Sequence, residues 1–226
     1  MTSANKYPNM ENIDDLYKEE PYIHTQAGRF YLDRPVFDAA AIAHSLGQLA
    51  RFNGHTNRFY SVAEHCCLVA YLMRREELGD PYEGLLHDAL EAFLTDIPSP
   101  WKHLFPDVKR FDDTLESKLR AWAGLVGEHK SVGCKRADLL ALFIEAYHLL
   151  PERGVDFHDP WNMRPRALEL VDEGIRPACM GWQEAGQLWL LGYRTHNDTR
   201  KEKAAHAGET RGEEEARHAL DRAKRC

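Results

Sequence analysis

An all-α helical bundle, carrying a short β-hairpin near its N-terminal edge, is the fold class the sequence predicts. Three observations point there: apolar residues recur at three- and four-residue spacing, helix-capping signals recur along the chain, and no strand–helix alternation or internal repeat is present. After a polar lead over residues 1–21, read as a flexible segment, Tyr22–Pro35 mixes Tyr, Ile, Thr and Phe around Gly28, as a short hairpin would. Asp38 can cap a helix over Ala39–Phe52 with Ile42, Leu46 and Leu49 on one face. Ser61-Val62-Ala63-Glu64 reads as a capping box, in which the Ser hydroxyl takes one orphan amide and Glu64 reaches back to the cap amide. The helix it opens should run through Met73 and stop near Gly79. Asp80-Pro81 starts the next, with proline at the first helical position, where its missing N–H costs nothing. That helix is expected to reach Asp96, before Ile97-Pro98-Ser99-Pro100 breaks it.

Further on, Val108, Phe111, Leu115, Leu119 and Trp122 form one apolar stripe ending near Gly127. Ser131 opens a helix through Ala137, Leu140, Ile144 and Tyr147 that Pro151 closes, Gly154–Pro165 reads as loop, and Arg166–Glu173 and Gln183–Tyr193 read as helices. The domain division expected from this pattern is a lead over 1–21, one domain over 22–193 and a charged, disordered tail over 194–226. The tail holds nine Lys and Arg against seven Asp and Glu, with Leu220 its one large apolar residue.

Composition narrows the function classes. The 226 residues are 43% hydrophobic and 29% charged, enough for one well-filled core without disulfides or a structural metal. A formal net charge of −7 argues against a protein that coats nucleic acid or an anionic membrane. No apolar run is long enough to span a membrane, and the N-terminal residues lack a signal-like apolar region, so a cytoplasmic location is expected. The 5 cysteines, Cys66, Cys67, Cys134, Cys179 and Cys226, form no Cys-x-x-Cys and fit a reducing compartment. Cys66 and Cys67 read as small core fillers.

No phosphate loop, dinucleotide fingerprint, H-E-x-x-H or nucleophile elbow is present. What remains is a set of potential ligands at helical positions: His65, the pair His87-Asp88, and Asp138. Carboxylates amid apolar neighbours need a cation or strong hydrogen bonds, and two imidazoles with two carboxylates make a mixed N/O set suited to Mn, Fe, Co, Ni or Zn. Glu91, three and four residues after that pair, shares their helical face and can orient a water or carry a proton. His24, His44, His55 and His103 stand outside this pattern.

The segments Tyr60–His65, Leu85–Glu91 and Lys135–Asp138 resemble the H…HD…D pattern of the HD-domain superfamily. Thr95-Asp96-Ile97-Pro98-Ser99-Pro100-Trp101-Lys102 is similar to the signature of one branch, which contains bacterial 5′-deoxynucleotidases and phage dATP triphosphohydrolases. Thr25–Arg29, Ile42–Leu46 and Arg51–His55 are similar to phage and prophage members. The resemblance covers Tyr22–Leu150. It implies an HD-domain helical bundle and a divalent transition metal (Co, Mn, Zn, Ni or Fe) held by His65, His87, Asp88 and Asp138. It places the acidic pair on Glu91 and Asp96, which would serve catalysis or a second divalent ion. Substrate binding would fall to Arg51 and Lys102 as phosphate contacts, Lys135 as a weaker one, and Phe52 where several relatives carry Trp.

The function so implied is removal of phosphate from deoxynucleotides, either as a dATP-type triphosphohydrolase or as a 5′-deoxynucleotidase, in a homo-oligomer. Neither an organic cofactor nor a nucleic-acid or membrane partner is expected. If the protein is phage-encoded, its compartment is the host cytoplasm. Two alternatives stay open from the residues: a non-catalytic nucleotide sensor, and a di-iron oxygenase on a related His/Asp cage. The acidic body needs local cations to hold an anion, and Arg51, Lys102 and the metal would supply them.

Overall fold

Tyr22–Thr25 (β1) and Gly28–Tyr31 (β2) pair antiparallel, Tyr22 opposite Tyr31 and Thr25 opposite Gly28, in a computed structural model that describes residues 22–102, 104–151 and 157–200. Gly28 takes φ 111°, a conformation that side chains resist, so the tight connection needs glycine there. The hairpin lies beside the bundle, with Phe30 stacked on Phe93 at 3.9 Å between ring centroids.

Helices follow: α1 (Ala39–Gln48), α2 (Val62–Arg75), α3 (Pro81–Leu86), α4 (Glu91–Leu94), α5 (Ser99–Lys102), α6 (Pro106–Ala123), α7 (Val132–Leu149) and α8 (Arg164–Asp172). A ninth, α9, covers 182–200 of the described residues. The all-α bundle with a short hairpin is therefore what the chain forms. The caps behave as side-chain chemistry dictates: Asp38, Ser61, Asp80 and Ser131 each accept a hydrogen bond from an amide of the first helical turn.

Several element boundaries move, each for a local reason. The helix expected over Ala39–Phe52 ends at Gln48, because Leu49 and Ala50 turn extended and pair with the chain before α2. The amide of Arg51 donates to Tyr60 O at 2.9 Å, and that of Val62 to Leu49 O at 2.9 Å. Arg51–Gly54 then form a 3-10 turn in which Phe52 and Asn53 hold φ of 53° and 51°. The helix expected from Pro81 to Asp96 is interrupted at 87–90. His87 Nδ1–H donates to Gly84 O at 2.7 Å, and the amides of Ala89, Glu91 and Ala92 each reach back three residues rather than four. The side chain takes the carbonyl that a regular helix would use at that point, and the backbone tightens.

The capping box is only half formed. Ser61 Oγ caps Glu64 N, but the Glu64 carboxylate turns away and accepts the amides of Ala178, Cys179 and Met180 at 2.7, 2.8 and 2.9 Å. Three charge-assisted bonds to a carboxylate that is only 4% exposed outcompete one cap amide. The bonds also fasten the segment leading into α9. That helix does not stop at Tyr193: it continues through the first part of the expected tail, with Arg200 on Asp80 at 2.8 Å. Residues 1–21 and 201–226, including the rest of the tail, lie outside the described residues.

Two clusters of buried side chains make the core. One gathers Ile42, Leu46, Val62, Leu85, Leu119 and Trp189; the other gathers Val69, Leu72, Leu140, Ile144 and Leu170. α2 feeds both, its first turns the former and its later turns the latter. Close crossing of α1 and α9 depends on small residues, since a Cβ on Gly47 would stand 2.5 Å from Trp182 O. Of the α6 stripe, Leu115 and Leu119 are buried, whereas Phe111 stays 51% exposed. Among the described residues no helix is long and apolar enough to cross a membrane.

Candidate metal centre and its cationic surround

The first ligand candidate, His65, sits one turn into α2 at 0% exposure, where Ser61 holds the helix start in register. His87 and Asp88 occupy the tightened passage between α3 and α4, not a regular helix. Asp138 projects from the second turn of α7. From these three elements the donors converge. His65 Nε2 lies 3.1 Å from His87 Nε2 and 3.2 Å from Asp138 Oδ1. Asp88 Oδ2 stands 3.1 Å from His87 Nε2 and 3.5 Å from His65 Nε2. Donor atoms of His65, His87 and Asp138 all lie within 4.8 Å of one another.

These separations suit a cation. Ligands about 2.1 Å from a transition metal sit roughly 3.0–3.4 Å apart along octahedral or tetrahedral edges. The protonation pattern agrees. His65 Nδ1–H donates to Glu145 Oε1 at 2.6 Å, and His87 Nδ1–H to Gly84 O at 2.7 Å. With both Nδ1 protons so engaged, each neutral ring turns an Nε2 lone pair toward the other and toward two carboxylates. Such an arrangement repels itself unless a proton or a metal ion lies between the donors. The donor set therefore fits a divalent ion.

The electrostatics point the same way. Burial opposes the charged form of His65 and Arg51 repels it, yet Glu145, Asp138 and Asp88 outweigh both and raise its pKa well above the usual imidazole value. Burial would raise Asp88, but His87, Lys130 and His65 hold it well below the ordinary carboxylate range. Glu91 moves the other way: burial first, then Asp88 and Asp96, push its carboxyl well above the usual value. Its Oε2 is buried and has no hydrogen-bond partner among the described residues. Asp96 is also raised, by burial foremost.

Cations ring this acidic centre. Arg51, its side chain 12% exposed, faces three carboxylates: Glu145 at 3.4 Å, Asp96 at 3.8 Å and Asp88 at 3.9 Å. The 3-10 turn, anchored by the Arg51 amide on Tyr60 O, aims it there, and its guanidinium lies 5.5 Å from the Phe52 ring centroid. Lys102 lies between Glu91 at 4.0 Å and Asp112 at 3.9 Å. A cavity lined by His87, Asp88, Glu91, Lys102, Asp112 and Lys130 opens beside the ligand cluster.

Lys135 stands apart. It is exposed on α7 and makes no hydrogen bond or ion pair with the cluster among the described residues. His44 bonds Gln26 and Gln48, and His55 is exposed; neither joins the centre, and His103 lies outside the described residues. Cys66 and Cys67 carry free thiols that burial pushes up, Cys67 to about 12, consistent with packing rather than reactivity.

Two residues of the site escape the sequence reading. Lys130, in the loop before α7, donates to Asp88 Oδ1 at 3.0 Å, and nothing in its neighbours signals that. The loop is placed by a buried pair: Arg120 bonds Glu83 at 3.0 Å and the carbonyls of Val126 and Gly127. Glu145 had a signal. It lies seven residues, hence two turns, after Asp138 on an otherwise apolar stretch.

Two uncharacterized proteins are among the sequences similar to this chain. The uncharacterized protein YfdR of Escherichia coli K12 is 40% identical over 128 residues, which are 55% of this chain and 70% of YfdR. An uncharacterized protein of Rhodobacter capsulatus is 45% identical over 67 residues, 27% of this chain and 34% of that protein. No protein-family model matches.

Proposed function

The chain belongs to the family of the Escherichia coli protein YfdR, and from the chemistry of its site we propose that it is a divalent-metal-dependent phosphohydrolase acting on deoxynucleotides in the cytoplasm. The observation that carries this reading is the convergence of His65, His87, Asp88 and Asp138, with both imidazole Nδ1 protons tied to acceptors and both Nε2 atoms left for an ion. The deoxynucleotide substrate, of dATP or monophosphate type, rests on the resemblance of the H…HD…D and Asp96–Lys102 segments to HD-domain enzymes.

His65, His87, Asp88 and Asp138 would hold a divalent ion, which would supply Lewis acidity toward a phosphoryl oxygen and make water more acidic near neutral pH. The chain's own residues do the rest. Arg51 offers a planar pair of donors for phosphate oxygens, and Lys102 and Lys130 add point charges on the cavity side. Together they explain how a chain of net charge −7 can hold an anion. Glu91, its carboxyl kept protonated to higher pH than usual, is suited to give a proton to the departing oxygen. Asp96 keeps Arg51 turned toward the site.

Turnover of a panel of deoxynucleoside mono- and triphosphates with Mn²⁺ or Co²⁺, with products separated by ion-exchange chromatography, tests the proposal. Phosphate, pyrophosphate or triphosphate should be released, and both chelation and Asp138→Ala should abolish the release. Failure of every nucleotide to turn over, or an Asp138→Ala variant as active as wild type, would overturn it.

A further inference from the structure

Glu145 is 0% exposed, yet it carries a charge that burial penalises severely unless several partners repay it. Three do, from three places in the chain: His65 Nδ1 at 2.6 Å, the Tyr60 hydroxyl at 2.9 Å and Arg51 at 3.4 Å. The shortest contact here is to the imidazole. The two histidines also differ in kind, since His87 gives its Nδ1 proton to the neutral carbonyl of Gly84.

We propose that Glu145 is the positioning residue of the metal centre. By accepting the Nδ1 proton of His65 it fixes the tautomer and the rotation of that ring, so that Nε2 remains among the ligand donors and becomes a stronger one. Through Arg51 it holds the phosphate-binding guanidinium in register with the same centre. The arrangement draws on helix geometry: Asp138 and Glu145 share one face of α7, so a single rigid element supplies one ligand and the support of another. This inference rests on the metal-binding reading above.

Titration of the full chain with Co²⁺, followed by calorimetry and by the visible absorption of the bound ion, tests it. Glu145→Gln, which keeps size and an acceptor oxygen but not the charge, should bind Co²⁺ about 10- to 100-fold more weakly with an altered spectrum. Tyr60→Phe removes another bond to the same carboxylate and should keep wild-type affinity. If Glu145→Gln does not fold, Glu145→Asp makes the same comparison, since the shorter side chain retains charge but not reach. Wild-type affinity and spectrum in the Glu145 variant would overturn the inference, as would an equal loss in Tyr60→Phe. A wild-type chain that takes up no Co²⁺ would remove both the metal reading and this one. Tight Co²⁺ binding without nucleotide turnover would remove only the phosphohydrolase.

Discussion

Single side chains in this site are set by what surrounds them rather than by residue type. Glu91 and Asp88 lie three residues apart, yet their carboxyls shift in opposite directions. Asp88 faces His87, Lys130 and His65, whereas Glu91 is buried beside Asp88 and Asp96 with one oxygen unpartnered among the described residues. Two acids pushed apart in this way fit the proposed division of labour, one as an anionic ligand and one as a proton carrier. On the proposed mechanism Glu91 works in its protonated form, so kcat should fall as pH rises through its raised pKa. Glu91→Gln should lose that alkaline limb and about 10²- to 10⁴-fold in kcat, read from pH–rate profiles of both proteins. Equal profiles would place the proton transfer elsewhere.

At the scale of elements, interruptions matter more than the regular helices. The break at 87–90 brings His87 and Asp88 into the site together, and the extended pairing of Leu49–Arg51 with Tyr60–Val62 carries Arg51 to Glu145. Glu64 does similar work away from the chemistry, tying α2 to 178–180 and so to α9. Removal of that carboxylate leaves three amides without their acceptor. Glu64→Ala should cost about 2–3 kcal/mol in urea unfolding, against about 1 kcal/mol for loss of the Ser61 cap in Ser61→Ala. The reverse ranking would make Glu64 a helix-start residue after all.

Across the whole molecule, ion pairs join segments distant in sequence. Arg166 of α8 bonds both oxygens of Glu76 at 2.9 Å, next to the end of α2, and also reaches Glu169 and Glu173. The Arg166 hydrogen bonds, against a smaller opposing effect of burial, lower the pKa of Glu76. A depressed carboxylate pKa contributes stability above the unfolded value and loses it as pH falls through the folded one. The difference in Tm between wild type and Arg166→Leu should therefore be present at pH 7 and shrink as pH falls below about 4.5. A gap that stays constant into acid would mean that Arg166 acts through packing alone.

The helical class, the caps at Asp38, Ser61, Asp80 and Ser131, and the identity of the residues at the His/Asp centre are legible in the chain itself. The helical class and the caps rest on local physics, periodicity and capping, whereas the grouping of the His and Asp residues into one ligand set rests on the resemblance to the H…HD…D pattern. Four outcomes needed the folded molecule: the direction taken by Glu64, the interruption at His87, the recruitment of Glu145 and Lys130, and the position of Lys135 outside the centre. Glu64, Glu145 and Lys130 each take a partner that only tertiary packing brings close. Glu64 has its cap amide three residues away and three better amides more than a hundred residues on. Sequence spacing exposes the first kind of partner. Only packing decides whether the second exists.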